Sequence, residues 1–254
     1  MTSDDAASKP SEAATADFGS AVDEMATTTD RLLASVDAMS RESLREPSLL
    51  PGWTRAHVLA HLARGADGLA ELVRGAADGT PRPMYAGGKA GRDADIESGA
   101  GRDLGDLRLD LAESSERLLA ALSEISPEAL TTKVVLASGA VVSAHDVPLI
   151  RVREVEIHHV DLDVGYSPDD WSPAFAARTL DQISPFFRTA RDCPVGSLIA
   201  DDGTGRWEVA AEGPSLAGSL SELAAWLTGR APGSGLRVDD APAGAGVPAA
   251  PPWV

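Results

Sequence analysis

Between Arg151 and Leu162 the chain reads Arg-Val-Arg-Glu-Val-Glu-Ile-His-His-Val-Asp-Leu, a helical stretch with polar groups where a core should lie. At about 100° per residue, Glu154 and His158 fall roughly 40° apart on one face. Ile150, Arg151, Ile157, Asp161 and Leu162 flank them, whereas Glu156, His159 and Asp163 point the other way, and Glu156 and His159 read as surface residues. A carboxylate and an imidazole one turn apart on an apolar face are costly to bury unless something binds both. A metal ion meets that need, and a buried Glu-His hydrogen bond is the plain alternative.

Any such helix needs neighbours to bury it, and 254 residues with 43% apolar content supply enough core for one large domain or two modest ones. The formal charge of -17 disfavours nucleic acid and anionic membrane as main partners, because both repel an acidic surface, and favours a small-molecule ligand. Cys193 is the single cysteine, so neither an intrachain disulfide nor a cysteine-based zinc motif is available. No signal-like start and no run of about 18 apolar residues is present, and a soluble, cytoplasmic, monomeric protein is expected. The lysines are only Lys9, Lys89 and Lys133, against many arginines, alanines and glycines, a composition like that of a GC-rich actinomycete.

Residues 1–14 are polar and small and are expected to be disordered. Phe18, Val22, Met25, Leu32, Val36 and Met39 then recur at helical spacing. Pro47 ends this first helix, and Thr54 is a plausible N-cap for a second one running to about Ala77, with Val58, Leu62, Leu69 and Val73 inward and His61 beside Leu62. Residues 78–91 are rich in Gly and Pro and read as a long loop at the rim of a site. A third helix is expected from about Asp93 to Ile125, kinked between Gly99 and Gly105. A short hairpin or crossover spans Thr132 to Val142, and Pro148 opens the fourth helix.

Four amphipathic helices make a bundle over residues 15–166, an architecture that builds metal sites from facing side chains. Beyond it, residues 167–240 read as a small α/β unit: a helix over 173–188, strands near 195–200 and 206–211, a helix over 215–227 and a last strand near 236–238. Residues 241–254 form a Pro/Ala-rich tail. The overall class is α+β.

His61 faces the bundle interior and can join Glu154 and His158; His57, one turn earlier, and His145, in a loop, compete for the same place. Two imidazoles and one carboxylate suit zinc held by three protein ligands with a fourth position open, and an open position points to catalysis. No His-Glu-x-x-His occurs, which disfavours a metalloprotease.

Three segments carry a family likeness: Gly52-Trp53-Thr54 followed by Val58-Leu59-Ala60-His61-Leu62; Pro148 to Leu162; and Ala224-Ala225-Trp226-Leu227-Thr228-Gly229-Arg230. Together they resemble the mycothiol-dependent maleylpyruvate isomerase family. The resemblance implies a DinB-like four-helix bundle bearing zinc on His61, Glu154 and His158, followed by a small α/β domain. It also implies that Arg230 helps to bind substrate or cofactor.

The activity so implied uses mycothiol. A thiolate adds to the cis double bond of maleylpyruvate, the resulting single bond rotates, and elimination yields fumarylpyruvate, a step of gentisate degradation. Arg151 is a further candidate for pairing with the small dicarboxylate substrate, and Asp161 for orienting a ligating imidazole. Two alternatives are a mycothiol S-transferase, in which the thiol stays attached to another electrophile, and a non-catalytic metal-binding regulatory module.

Overall fold

The computed structural model describes residues 12–189, 193–239 and 246–252, and the chain divides into two units between Val164 and Gly165. Residues 1–11 of the expected disordered start lie outside the described residues, and α1 (Glu12–Asp37) begins directly after them. Residues 241–245 and 253–254 of the expected tail also lie outside. Pro248 in that tail is anchored, its carbonyl accepting the Trp226 indole N–H at 2.8 Å. A helical N-terminal region followed by a small α/β part makes the class α+β. Among the described residues no helix is long and apolar enough to cross a membrane.

In the first unit, α2 (Arg55–Asp78), α4 (Leu104–Glu124) and α5 (Val147–Asp161) join α1 in a four-helix bundle. Helix α2 packs on α4 and α5, and α1 closes the ring against the same two. Leu32, Leu59, Leu62, Leu107, Leu111 and Val155 fill its centre, each worth roughly 1.5–3 kcal/mol of burial. A hairpin of β1 (Lys133–Val135) and β2 (Val141–Ser143) precedes α5, with Val134 opposite Val142.

The expected third helix is two helices, α3 (Gly88–Ala100) and α4. The break at residues 101–103 has a local cause: Asp103 caps α4, its carboxylate accepting the Asp106 N–H at 2.9 Å. Arg45 meanwhile covers the carbonyls that α3 leaves unpaired, at 2.5 Å from Ala100, 3.1 Å from Gly101 and 3.0 Å from Arg102. The loop expected over 78–91 is correspondingly shorter, because Gly88 already begins α3.

Glu156 and His159 are not surface residues, at 4% and 1% exposed. Helix α5 is enclosed on nearly every side. Its far face meets α1, where Glu156 pairs with Arg31 at 3.3 Å and His159 Nε2 lies 2.8 Å from the Ser35 hydroxyl.

The second unit contains α6 (Pro173–Thr189), α7 (Leu220–Leu227) and a four-stranded sheet of β3 (Ser197–Ala200), β4 (Arg206–Glu208), β5 (Ser215–Gly218) and β6 (Arg237–Asp239), in the order β4-β3-β5-β6. The helix expected over 215–227 is therefore shorter: its first four residues form β5, which runs parallel to β3. All four are buried, so no alternation marks them as a strand.

Candidate metal centre

Helix α5 fixes two of the three predicted ligands through its own geometry, since Glu154 and His158 stand one turn apart. The third comes from α2, whose placement is set by Arg55. Arg55 Nε donates to the Leu162 carbonyl at 2.7 Å and Nη2 to the Asp163 carbonyl at 2.8 Å. The start of α2 is thereby clamped to the end of α5, where Asp163 takes a left-handed conformation at φ 53° and closes the helix. Residue 61, within two turns of that clamp, faces residue 158.

The convergence is close. His61 Nε2 lies 3.0 Å from His158 Nε2 and 3.4 Å from Glu154 Oε2, and the last edge, His158 Nε2 to Glu154 Oε2, is 3.8 Å. Bonds of about 2.1 Å around tetrahedral zinc require ligand atoms about 3.4 Å apart, so the three observed edges bracket the required one. The His61 and His158 rings meet at 90°. Asp161, 2% exposed, accepts the Nδ1–H of His158 at 2.8 Å, which leaves Nε2 with its lone pair turned inward. Glu154 keeps 34% of its side chain exposed, against 8% for His61, so the cluster is reachable from the Glu154 side.

Electrostatics favour the ligand state. Burial pushes the His61 imidazole down to about 4, against the raising effect of the Glu154 hydrogen bond. Burial works to raise Glu154, but the His61 hydrogen bond, both imidazoles and Arg153 outweigh it and hold the carboxyl well below the usual carboxylate range. A neutral imidazole beside a carboxylate is what a cation requires.

A pH dependence follows for the protein in chelator. The folded His61 value lies below the 6.5 of a free imidazole, so the unfolded chain takes up the proton first. Stability is full above about pH 6.5 and falls as pH drops toward about 4, by up to ~3 kcal/mol. Denaturant midpoints at several pH values should show this slope in the wild type and a shallower one in His61→Gln.

The competitors for the third place are committed elsewhere. His57 Nδ1 accepts the Thr54 N–H at 3.2 Å at the start of α2, and its Nε2 faces Glu97 at 3.2 Å. His145 lies beside Asp146 at 3.5 Å. Arg151 is buried at 1% exposure and donates to the Leu62 carbonyl at 2.8 Å; burial lowers its pKa to about 10, so it is a cation at neutral pH. Arg230 belongs to the second unit. Its backbone N–H closes α7 on the Ala225 carbonyl at 2.8 Å, beyond the left-handed Gly229, and its guanidinium donates to the Thr228 carbonyl at 2.6 Å.

Three residues around the cluster were not singled out as site residues by sequence. Trp53 stands edge-on to His61 at 5.5 Å, Arg92 donates to His61 Nδ1 at 3.0 Å, and Tyr85 lies beside Arg92. A lone arginine near the start of a glycine-rich helix gives no spacing signal.

The sequence profile described as Mycothiol maleylpyruvate isomerase N-terminal domain matches residues 25–163. In three dimensions the chain is similar to the crystal structure of the mycothiol-dependent maleylpyruvate isomerase, with 26% identity and a TM-score of 0.86 over 93% of this chain and 97% of that one. The crystal structure of a histidine-to-alanine mutant of that isomerase matches at 26% identity and a TM-score of 0.85, over 93% and 97% of the two chains. No curated protein matches the chain by sequence. More than half of the residues lie inside the matched profile, His61, Glu154 and His158 among them, and the chain belongs to the mycothiol maleylpyruvate isomerase N-terminal domain family.

Proposed function

We propose that this protein is a cytoplasmic, zinc- and mycothiol-dependent cis-trans isomerase that converts maleylpyruvate, or a close analogue, to fumarylpyruvate by thiol addition, bond rotation and elimination. The observation that carries this reading is the convergence of three ligand atoms, all within 4.8 Å of one another, with a buried carboxylate behind one of them. When bound, the metal supplies a cation that keeps a coordinated thiol deprotonated at neutral pH.

The chain's residues do the rest. His61 and His158 present neutral nitrogens, Glu154 adds one negative charge, and Asp161 holds the His158 ring in the tautomer that offers Nε2. Trp53 walls one side of His61 and limits water there. Arg151 places a cation in the α2–α5 interface beside Glu154, where charge that develops on an enolate is stabilised. Arg230 is assigned to the substrate by the family resemblance.

Asp161→Asn tests the support of His158 apart from the ligands. Replacing a partner of this kind lowers metal affinity about 10–100-fold, and competition with a chromogenic chelator should show a fall in that range while the fold is retained. The reaction itself is tested by mixing purified protein with maleylpyruvate, with and without mycothiol, following substrate loss and titrating free thiol. Turnover only with thiol, and thiol fully recovered, is expected. Stoichiometric loss of thiol would assign S-transfer instead.

A further inference from the structure

A protein of formal charge -17 repels a small dicarboxylate unless cations gather where it binds. They do so beside the His61–Glu154–His158 cluster. Arg92, near the start of α3, directs Nη2 to His61 Nδ1 at 3.0 Å and Nη1 to Asp93 at 2.9 Å. Its guanidinium carbon stands 6.0 Å from the centre of the Tyr85 ring. Arg151 approaches from α5. Its Nη1 is used by the Leu62 carbonyl, but its buried Nε and Nη2 have no hydrogen-bond partner among the described residues. Arg151 Nη1 stands 2.8 Å from the Leu62 carbonyl and 3.7 Å from where a Cβ at Gly65 would lie, and Tyr85 Cε1 3.1 Å from where one at Gly68 would lie, so Arg151 and Tyr85 meet α2 on neighbouring turns of one face, next to the turn that carries His61.

The resident carboxylates do not complete it. Asp67 and Glu154 both act on Arg151, yet Asp67 is paired with Arg64 at 3.1 Å and Arg117 at 2.8 Å, while Glu154 faces His61. Unused buried donors on a guanidinium are a standing cost that an anion would remove.

The His61 contact adds a second argument. A guanidinium can only donate, so Nδ1 of His61 accepts here. An imidazole that ligates through Nε2 carries its proton on Nδ1 and offers no acceptor there. Ligation therefore dissolves this contact and frees one arm of Arg92 beside the reacting centre.

The loop that carries Tyr85 is seated by a missing side chain. A Cβ at Gly68 would stand 2.8 Å from both the Met84 carbonyl oxygen and Met84 Cγ, and 3.1 Å from Tyr85 Cε1. Only glycine lets residues 84 and 85 lie against α2 at that point.

We propose that Arg92, Tyr85 and Arg151 form the subsite for a carboxylate group of the substrate, restricting the protein to small carboxylic acids. This rests on the reading of the site as a thiol-using metal centre. Arg92 supplies the charge that ligation frees, Arg151 the fixed buried one, and Tyr85 a hydroxyl donor beside Arg92.

The test separates anion binding from metal and thiol binding. Metal-loaded protein is titrated calorimetrically with maleate, a rigid cis-dicarboxylate, and with its dimethyl ester. Cobalt(II)-substituted protein is titrated in parallel with mycothiol, following thiolate-to-cobalt absorption. Wild type should bind maleate and not the ester, and Arg92→Gln and Tyr85→Phe should weaken maleate about tenfold or more with cobalt content and thiolate absorption unchanged. Gly68→Ala should weaken maleate as Tyr85→Phe does, without touching any of the three side chains.

Equal maleate affinity in wild type and Arg92→Gln would overturn the proposal. So would an Arg92→Gln variant that loses cobalt together with maleate, because the arginine would then act on the metal ligands. If maleate binding depends on Arg92 while no thiolate absorption appears, the subsite stands and the thiol-using reading fails.

Discussion

Replacing His61 with alanine should reduce bound zinc to background and lower thiol-dependent turnover by about three orders of magnitude or more, the scale on which a metal-supplied nucleophile acts. Glu154 and His158, left on one helix, supply only two of the three ligand atoms now held 3.0–3.8 Å apart. The bundle should stay folded in chelator, because its centre is built from Leu59, Leu62 and Leu111 rather than from His61. Elemental analysis and circular dichroism on the same preparation check both halves. Two neighbouring histidines serve as controls. His57→Ala should cost about 0.5–2 kcal/mol through the start of α2 and leave zinc in place. His159→Ala should destabilise the α1–α5 contact at Ser35 with zinc retained. Full zinc and full rate in His61→Ala would remove the proposed ligand set.

Arg55→Ala should give the largest loss of stability, about 3–5 kcal/mol, which for a chain of this size is a fall in melting temperature of about 10 °C. Arg55 is 9% exposed. It donates to the Leu162 and Asp163 carbonyls and to that of Ser43, and it is paired with Glu46. Removing it leaves the end of α5 with unpaired carbonyls four and five residues from His158. Zinc affinity should therefore fall along with the melting temperature, although Arg55 touches no ligand. A scanning calorimetry trace with and without chelator would show both effects; a loss of stability with unchanged zinc affinity would mean that the clamp does not position His158.

Glu154, His158 and Asp161 were legible because they are local. Spacings of four and three along one helix fix which side chains share a face whatever the surroundings. His61 needed only the further inference that α2 packs against α5. Residues whose role depends on a distant partner were not legible: Glu156 and His159 occupy the far face of α5, and only Arg31 and Ser35 on α1 make that face an interior. The start of α3 was hidden by Gly87, Gly88 and Gly91, which read as loop, and Arg92 and Tyr85 went unnoticed with it. β5 was hidden because a strand buried on both faces loses its alternation. Arg55 did leave a signal, as a cation in the first turn of a helix opposes the helix dipole and calls for a specific partner. That partner is the carbonyl end of α5.

His61, Glu154 and His158 together are expected to hold one metal ion with a position left for a thiol. A crystal structure of zinc-loaded protein with mycothiol, phased at the zinc absorption edge, tests it most directly. One anomalous peak is expected about 2.0–2.2 Å from His61 Nε2, His158 Nε2 and a Glu154 oxygen, with the thiol sulfur about 2.3 Å from it as the fourth ligand. A peak elsewhere, or a fourth ligand from the protein closing the site, would contradict it.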